Sequence, residues 1–75
     1  MLEFVRFVLE HLVESPDQIR IKQIDGDTTV ILEISVAQED MGHVIGKGGR
    51  VINSLRELCS VCARSSKKKI VIEVV

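Results

Sequence analysis

Three of the five glycines fall within four residues, Gly46-Lys47-Gly48-Gly49, and no other feature restricts the fold of this chain as tightly. Such a cluster interrupts regular structure, because glycine loses more backbone entropy in a helix than any other residue and alone takes positive φ freely. On both sides of it the chain reads as helix. Gln38-Glu39-Asp40 places acids in the first turn of a short helix running to about Ile45, where they favour the positive end of its dipole. From Arg50 to about Ser65 a longer helix is expected, with Val51, Ile52, Leu55, Leu58, Cys59 and Cys62 as its apolar stripe. Gly46 is expected to end the first helix in a left-handed conformation. Gly48 and Gly49 leave the start of the second without side chains, so its unpaired N–H groups and dipole offer a place for an anion. Lys47 at the tip and Arg50 just beyond add positive charge, and Val44, Ile45 and Ile52 flank the loop with apolar surface.

Other phosphate loops fit this pattern poorly. A Walker loop needs four residues between its first glycine and a Gly-Lys pair followed by Ser or Thr. Here Gly42 and Gly46 enclose three, and Gly48 follows Lys47. A dinucleotide fingerprint needs a strand leading into its glycines, whereas a helix precedes these.

The rest of the chain supplies one more helix and three strands. In residues 2–14, Val5, Val8, Leu9, Leu12 and Val13 fall at helical spacing, and Arg6 stands four residues before Glu10, the separation of a helical ion pair. Phe4 and Phe7 widen the apolar stripe beyond what one core face requires. Ser15-Pro16-Asp17 stops this helix, since proline disfavours helical geometry at the residue before it. Residues 19–24 (IRIKQI) read as a strand, and Asp25-Gly26-Asp27 as a turn in which Gly26 can take positive φ. Residues 28–36 alternate strictly. Val30, Leu32, Ile34 and Val36 share one face, with Thr29, Ile31, Glu33 and Ser35 on the other, so the two runs form a hairpin. Residues 66–69 (SKKK) are a polar connector, and residues 70–75 (IVIEVV) a third strand, apolar on both faces for most of its length and expected to be well covered. The order is α-β-β-α-α-β, an α+β arrangement with a three-stranded sheet.

Seventy-five residues allow one small domain spanning 1–75. Charge is divided unevenly along it. Residues 1–40 carry nine acids against three bases, a balance of −6, and residues 41–75 carry seven bases against two acids, a balance of +5. A polyanion senses the local face, because charges beyond a Debye length of about 8–10 Å are screened, so a net charge of −1 does not exclude nucleic acid.

The nonapeptide VIGKGGRVI, set between two helices in this order of elements, resembles the KH-domain signature: a Val-Ile-Gly opening a GXXG loop, with isoleucine three residues after its last glycine. The arrangement is similar to the type II KH domain of bacteria, with helices packed on one face of the sheet. The length, the early helix and the Asp40-Met41-Gly42 lead-in resemble the small stand-alone KhpA family of RNA chaperones. The resemblance covers the whole chain. It implies single-stranded RNA as partner, with Gly46, Lys47, Gly48 and Gly49 clamping the backbone of about four nucleotides. Arg50 would add phosphate charge, and Val44, Ile45 and Ile52, with Ile34 or Val36 from the second strand, would line an aliphatic groove for bases. Many relatives carry a polar or basic side chain where this chain has Gly48, which removes a possible phosphate contact but not the backbone geometry. It further implies association with a second copy or with a larger KH-containing protein, and a post-transcriptional role. Low aromatic content agrees with this mode. The chain has two Phe and no Tyr or Trp, too few for the aromatic stacking platforms of other RNA-binding folds.

The leading alternative is a KH fold whose main task is protein pairing, for which Phe4, Phe7 and Val61 offer apolar surface. Cys59-Ser60-Val61-Cys62 has redox spacing, but thiol-redox motifs sit at a helix N-terminus and these cysteines lie about ten residues into a helix. They are read as core or interface cysteines. With His11 and His43 as the sole further candidates, on separate elements, no metal site, cofactor or catalytic constellation is expected. Without a signal sequence or an apolar run of about 20 residues, the chain is expected to be cytoplasmic and to have no membrane partner.

Overall fold

A computed structural model describes residues 2–64 and 67–75. Its elements are α1 (Leu2–Leu12), β1 (Arg20–Asp25), β2 (Thr29–Ser35), α2 (Met41–Ile45), α3 (Arg50–Cys62) and β3 (Lys69–Val74). Single 3₁₀ turns at Pro16–Gln18, Gln38–Asp40 and Lys47–Gly49 connect them. The expected α-β-β-α-α-β order is found. The expected end of the long helix at Ser65, and Ser66 of the connector, lie outside the described residues. Within that connector Lys67 takes a positive φ of 59°.

The sheet runs β1-β2-β3, with β1 antiparallel and β3 parallel to the central β2. A parallel neighbour needs a crossover, and the α2–loop–α3 unit supplies it. Strand alternation fixes the register. Val30, Leu32 and Ile34 stand opposite Ile70, Ile72 and Val74, forming a single apolar sheet face, and Ile34 stands opposite Ile21 of β1. Against that face pack Val5 and Leu9 from α1, Val44 from α2, and Ile52, Leu55 and Cys59 from α3. Leu9, Ile19, Leu32, Ile34 and Ile72 are fully buried, each contributing roughly 1.5–3 kcal/mol relative to exposure.

The other sheet face is open. Across it run two ladders, Ile24–Ile31–Val71 and Lys22–Glu33–Glu73. Full covering of β3 is therefore not realised: Ile72 is buried, Val71 half-buried, and Glu73 exposed. Gly26 also differs from expectation. It closes the hairpin by donating its N–H to the Thr29 carbonyl at 2.7 Å, without the positive φ available to it.

Helix α1 ends two residues earlier than its apolar pattern suggests, and the reason lies far away in sequence. The Glu14 and Ser15 N–H groups donate to Asp40 Oδ1 and Oδ2, at 3.0 and 3.1 Å. Asp40 is wholly buried, so its carboxylate ties the exit of α1 to the entry of α2. Helix α3 also differs in its buried stripe, which consists of Ile52, Leu55 and Cys59 and continues into the buried Ala63 just past its end. Leu58 is 53% exposed and Cys62 is exposed, so neither belongs to the core. Among the described residues no helix is long and apolar enough to cross a membrane.

Candidate functional site

The glycine loop is built by three successive positive-φ glycines, each with a different task. Gly46 has φ 77° and ψ 171°, a mirror-image extended conformation and not the left-handed helical one expected of it. It nonetheless ends α2, donating its N–H to the Gly42 carbonyl at 2.8 Å. The chain then turns back through Gly48 (φ 64°, ψ 20°) and Gly49 (φ 80°, ψ 13°), with the Gly49 N–H bonded to the Gly46 carbonyl at 3.1 Å. Gly46 also lies hard against α3: a Cβ there would meet Val51 Cγ2 at 2.5 Å and the Val51 nitrogen at 2.9 Å. Gly48 is open, with nothing within 4 Å of its would-be Cβ.

This geometry leaves particular donors unpaired. Gly49 N–H is used within the turn, and Arg50 N–H is bonded to the Lys47 carbonyl. The Lys47 and Gly48 N–H groups have no backbone acceptor among the described residues. Lys47, Gly48 and Arg50 are exposed, while Gly46 and Gly49 are half-buried. The loop thus presents two main-chain donors between two cationic side chains, an arrangement suited to phosphate oxygens.

The apolar residues named for the groove divide into two groups. Ile45 and Val36 are half-buried and retain surface. Ile34 and Val44 are wholly buried and Ile52 is 5% exposed, so these three hold the loop and its helices from beneath and present almost no surface of their own. One polar neighbour escaped sequence reasoning. Asn53, one turn after Gly49, has its Nδ2 at 3.5 Å from where a Cβ on Gly49 would lie, and its Oδ1 accepts from Arg56 Nη1 at 3.0 Å. The i, i+4 spacing from the last glycine was the available signal. Arg56 is itself fixed to the sheet edge by donating Nε and Nη2 to the Ile72 carbonyl at 3.2 and 3.1 Å.

A second surface lies between α1 and α3. Val8, Leu12, Val51, Leu55 and Leu58 line an apolar groove of about 320 Å³ with Arg50 at its rim. Leu58 also lines an adjoining depression with Val61, and Phe7 of α1 is 60% exposed. Cys59 and Cys62 do not act as a pair. Burial pushes the Cys59 thiol above its ordinary pKa, with nearby Cys62 adding to the shift, while Cys62 is exposed. His43 is exposed beside the loop, and His11 bonds through Nδ1 to the Phe7 carbonyl at 2.7 Å. Among the described residues no three His, Cys, Asp or Glu side chains are grouped to hold a metal ion.

Comparison with known proteins places the whole chain in one group. The model of the KhpA/KhpB KH domain matches residues 2–74. The chain is 39% identical to the RNA-binding protein KhpA of Caldanaerobacter subterraneus subsp. tengcongensis over the full length of both. It is 38% identical to that of Chlamydia pneumoniae, over 99% of this chain and 95% of the relative. With that of Clostridium acetobutylicum the identity is 35% over the full length of both. No solved structure matches.

Proposed function

The chain belongs to the KhpA/KhpB KH-domain family, whose fold is the type II KH arrangement, and from that premise we propose that it binds single-stranded RNA through its glycine loop. It is a binding protein and not an enzyme. The observation that carries the reading is the pair of Lys47 and Gly48 N–H groups without a backbone acceptor among the described residues, on an exposed turn flanked by the Lys47 and Arg50 side chains. Gly46, Gly48 and Gly49 allow a sugar-phosphate chain to approach the backbone, the two N–H groups donate to phosphate, and the two cations follow its charge. Ile45 and Val36 supply the aliphatic surface against which bases pack, over a floor of Ile34, Val44 and Ile52. Residues 1–75 act as one KH domain, in the cytoplasm, as an RNA chaperone or post-transcriptional regulator.

Binding through a single small loop is weak. Roughly micromolar affinity, about −8 kcal/mol, is expected, and it falls with salt because phosphate neutralisation supplies much of it. The test is fluorescence anisotropy with pooled single-stranded RNA, comparing wild type with Lys47→Asp plus Gly48→Asp. Gly48 has space for the new side chain, and Asp tolerates positive φ better than most residues, so the fold should survive, as circular dichroism would verify. Loss of binding by the folded variant is the expected result. Equal binding by both proteins would reduce the loop to a turn.

A second reading is favoured by the exposed apolar surface of α3, where Leu58 and Val61 are each 53% exposed beside the α1–α3 groove. It is pairing with a second copy or with a larger KH-containing protein, which would raise occupancy on RNA through a second contact. Light scattering at high concentration distinguishes the two cases. A dimer abolished by Leu58→Glu plus Val61→Glu supports pairing through this face, and a monomer under all conditions rejects self-association.

A further inference from the structure

The N-terminal forty residues contain three bases among nine acids, and the fold brings all three to one place. Arg6 from α1 and Arg20 and Lys22 from β1 line a single cleft of about 330 Å³, completed by Ile21, Glu33 and Ser35 from the sheet and by Val75. This volume lies at the small end of the range for ligand clefts, about 300–1,000 Å³. Arg20 is fixed in place: its Nη1 donates to the Asp17 and Ile19 carbonyls, both at 2.9 Å, which leaves Nε and Nη2 without a partner among the described residues. Arg6 does not form the ion pair with Glu10 that their spacing allows, and neither Arg6 nor Lys22 has a side-chain partner among the described residues. Glu33 is the one acid lining the cleft, with Glu73 next to it in the ladder.

Three cations drawn from two elements into one concavity repel one another, and a cleft lined mainly by one sign of charge concentrates the opposite ion. We propose that this cleft is a second contact for the phosphodiester backbone of the RNA strand held by the glycine loop, engaged only by strands longer than the loop itself can grip. The guanidiniums of Arg6 and Arg20 are suited to phosphate oxygens in the plane of their forks, and Lys22 acts as a point charge. Ser35 adds a hydroxyl, and Ile21 and Val75 give the sugar or base an apolar surface. The other charged side chains of the N-terminal forty residues are all acidic, so within that half these three are the sole cations a strand can meet. With a longest dimension of 35 Å, the molecule keeps both contacts within one short strand.

The proposal rests on the RNA-binding reading and is tested so that the two can fail separately. Affinity is measured for a four-nucleotide and a twelve-nucleotide oligouridine, as a function of salt, with wild type, Lys47→Asp and Arg6→Gln plus Lys22→Gln. The paired variant should leave the short oligomer unchanged. For the long one the slope of log affinity against log salt should fall by about 1.4, or 0.7 for each lost phosphate contact. Extrapolated from 1 M, that slope corresponds to a loss on the order of twentyfold at 0.1 M salt. Lys47→Asp should weaken both oligomers, and if it weakens neither, the loop reading fails first. Unchanged binding of the long oligomer by the paired variant, or equal loss for both lengths, overturns the cleft proposal. So does loss of binding to an oligoglutamate peptide with RNA binding intact, which would assign the cleft to an acidic protein segment.

Discussion

Replacing Gly46 by alanine probes the one point where the loop cannot yield. Two costs arise there. The backbone conformation, φ 77° with ψ 171°, is essentially closed to residues with a side chain, which costs of order 1–3 kcal/mol. The new methyl would also stand 2.5 Å from Val51 Cγ2 and 2.9 Å from both Val51 Cβ and the Val51 nitrogen, contacts that force a shift in the first turn of α3. Overpacking of this kind costs about 1–3 kcal/mol more. The sum, about 2–6 kcal/mol, is a large part of the roughly 4–11 kcal/mol expected for 75 residues at 0.05–0.15 kcal/mol each. At about 4–8 °C per kcal/mol, Tm should fall by at least about 8 °C. Gly48→Ala meets no atom and bears only the left-handed penalty of about 1–2 kcal/mol. Gly42→Ala, helical and open, should stabilise by about 0.4–1 kcal/mol. Adding Val51→Ala to Gly46→Ala should recover part of the loss, since the contacts with Val51 Cβ and nitrogen persist. Urea and thermal unfolding followed by circular dichroism give this ranking directly. If Gly46→Ala costs no more than Gly48→Ala, the close approach of α3 to Gly46 is not what shapes the loop.

Two further outcomes follow from buried groups. Asp40→Ala leaves the Glu14 and Ser15 N–H groups without their acceptor and should cost about 2–4 kcal/mol by urea unfolding, with Asp40→Asn nearly as damaging because an amide offers one oxygen where two donors converge; a change under 0.5 kcal/mol would deny the carboxylate its tying role. The Cys59 thiol, its pKa raised by burial, should react far more slowly with a disulfide reagent than exposed Cys62 in the native protein. Because the folded state holds the Cys59 proton more tightly than the unfolded one, stability should decline as pH rises past the ordinary thiol pKa, and Cys59→Ala should lessen that decline; an unchanged slope would contradict the burial argument.

Local periodicity carried much of this molecule into view and lost the rest for identifiable reasons. The alternation of Val30, Leu32 and Ile34 leaves one choice of buried face, because a one-residue slip would turn all three to solvent. The three glycines likewise announce the break between α2 and α3 through their own conformational freedom. In α3 the apolar sector is wider than the surface available to cover it. Periodicity cannot tell which edge is covered, so it includes Leu58 and Cys62 and passes over small Ala63. Distance in sequence hid Asp40. Its acidity at the start of a helix suggested a dipole role, whereas its partners lie 25 and 26 residues earlier. Nearness to the loop along the chain does not show how much surface a residue keeps, and Val44 and Ile52 belong to the buried core beneath it. Nor can a pattern along the chain show that Arg6, Arg20 and Lys22 meet, since the hairpin and α1 bring them together only in the folded sheet.

The central claim is that the glycine loop, and no other surface, makes the first contact with RNA. Backbone amide resonances followed by NMR during titration with a short single-stranded RNA test it most directly. The account predicts that Gly46, Lys47, Gly48, Gly49 and Arg50 shift first and furthest, with Asn53 following and Phe7, Leu58 and Val61 unmoved. Shifts confined to the α1–α3 face, or none at saturating RNA, would contradict it and leave pairing as the function of this fold.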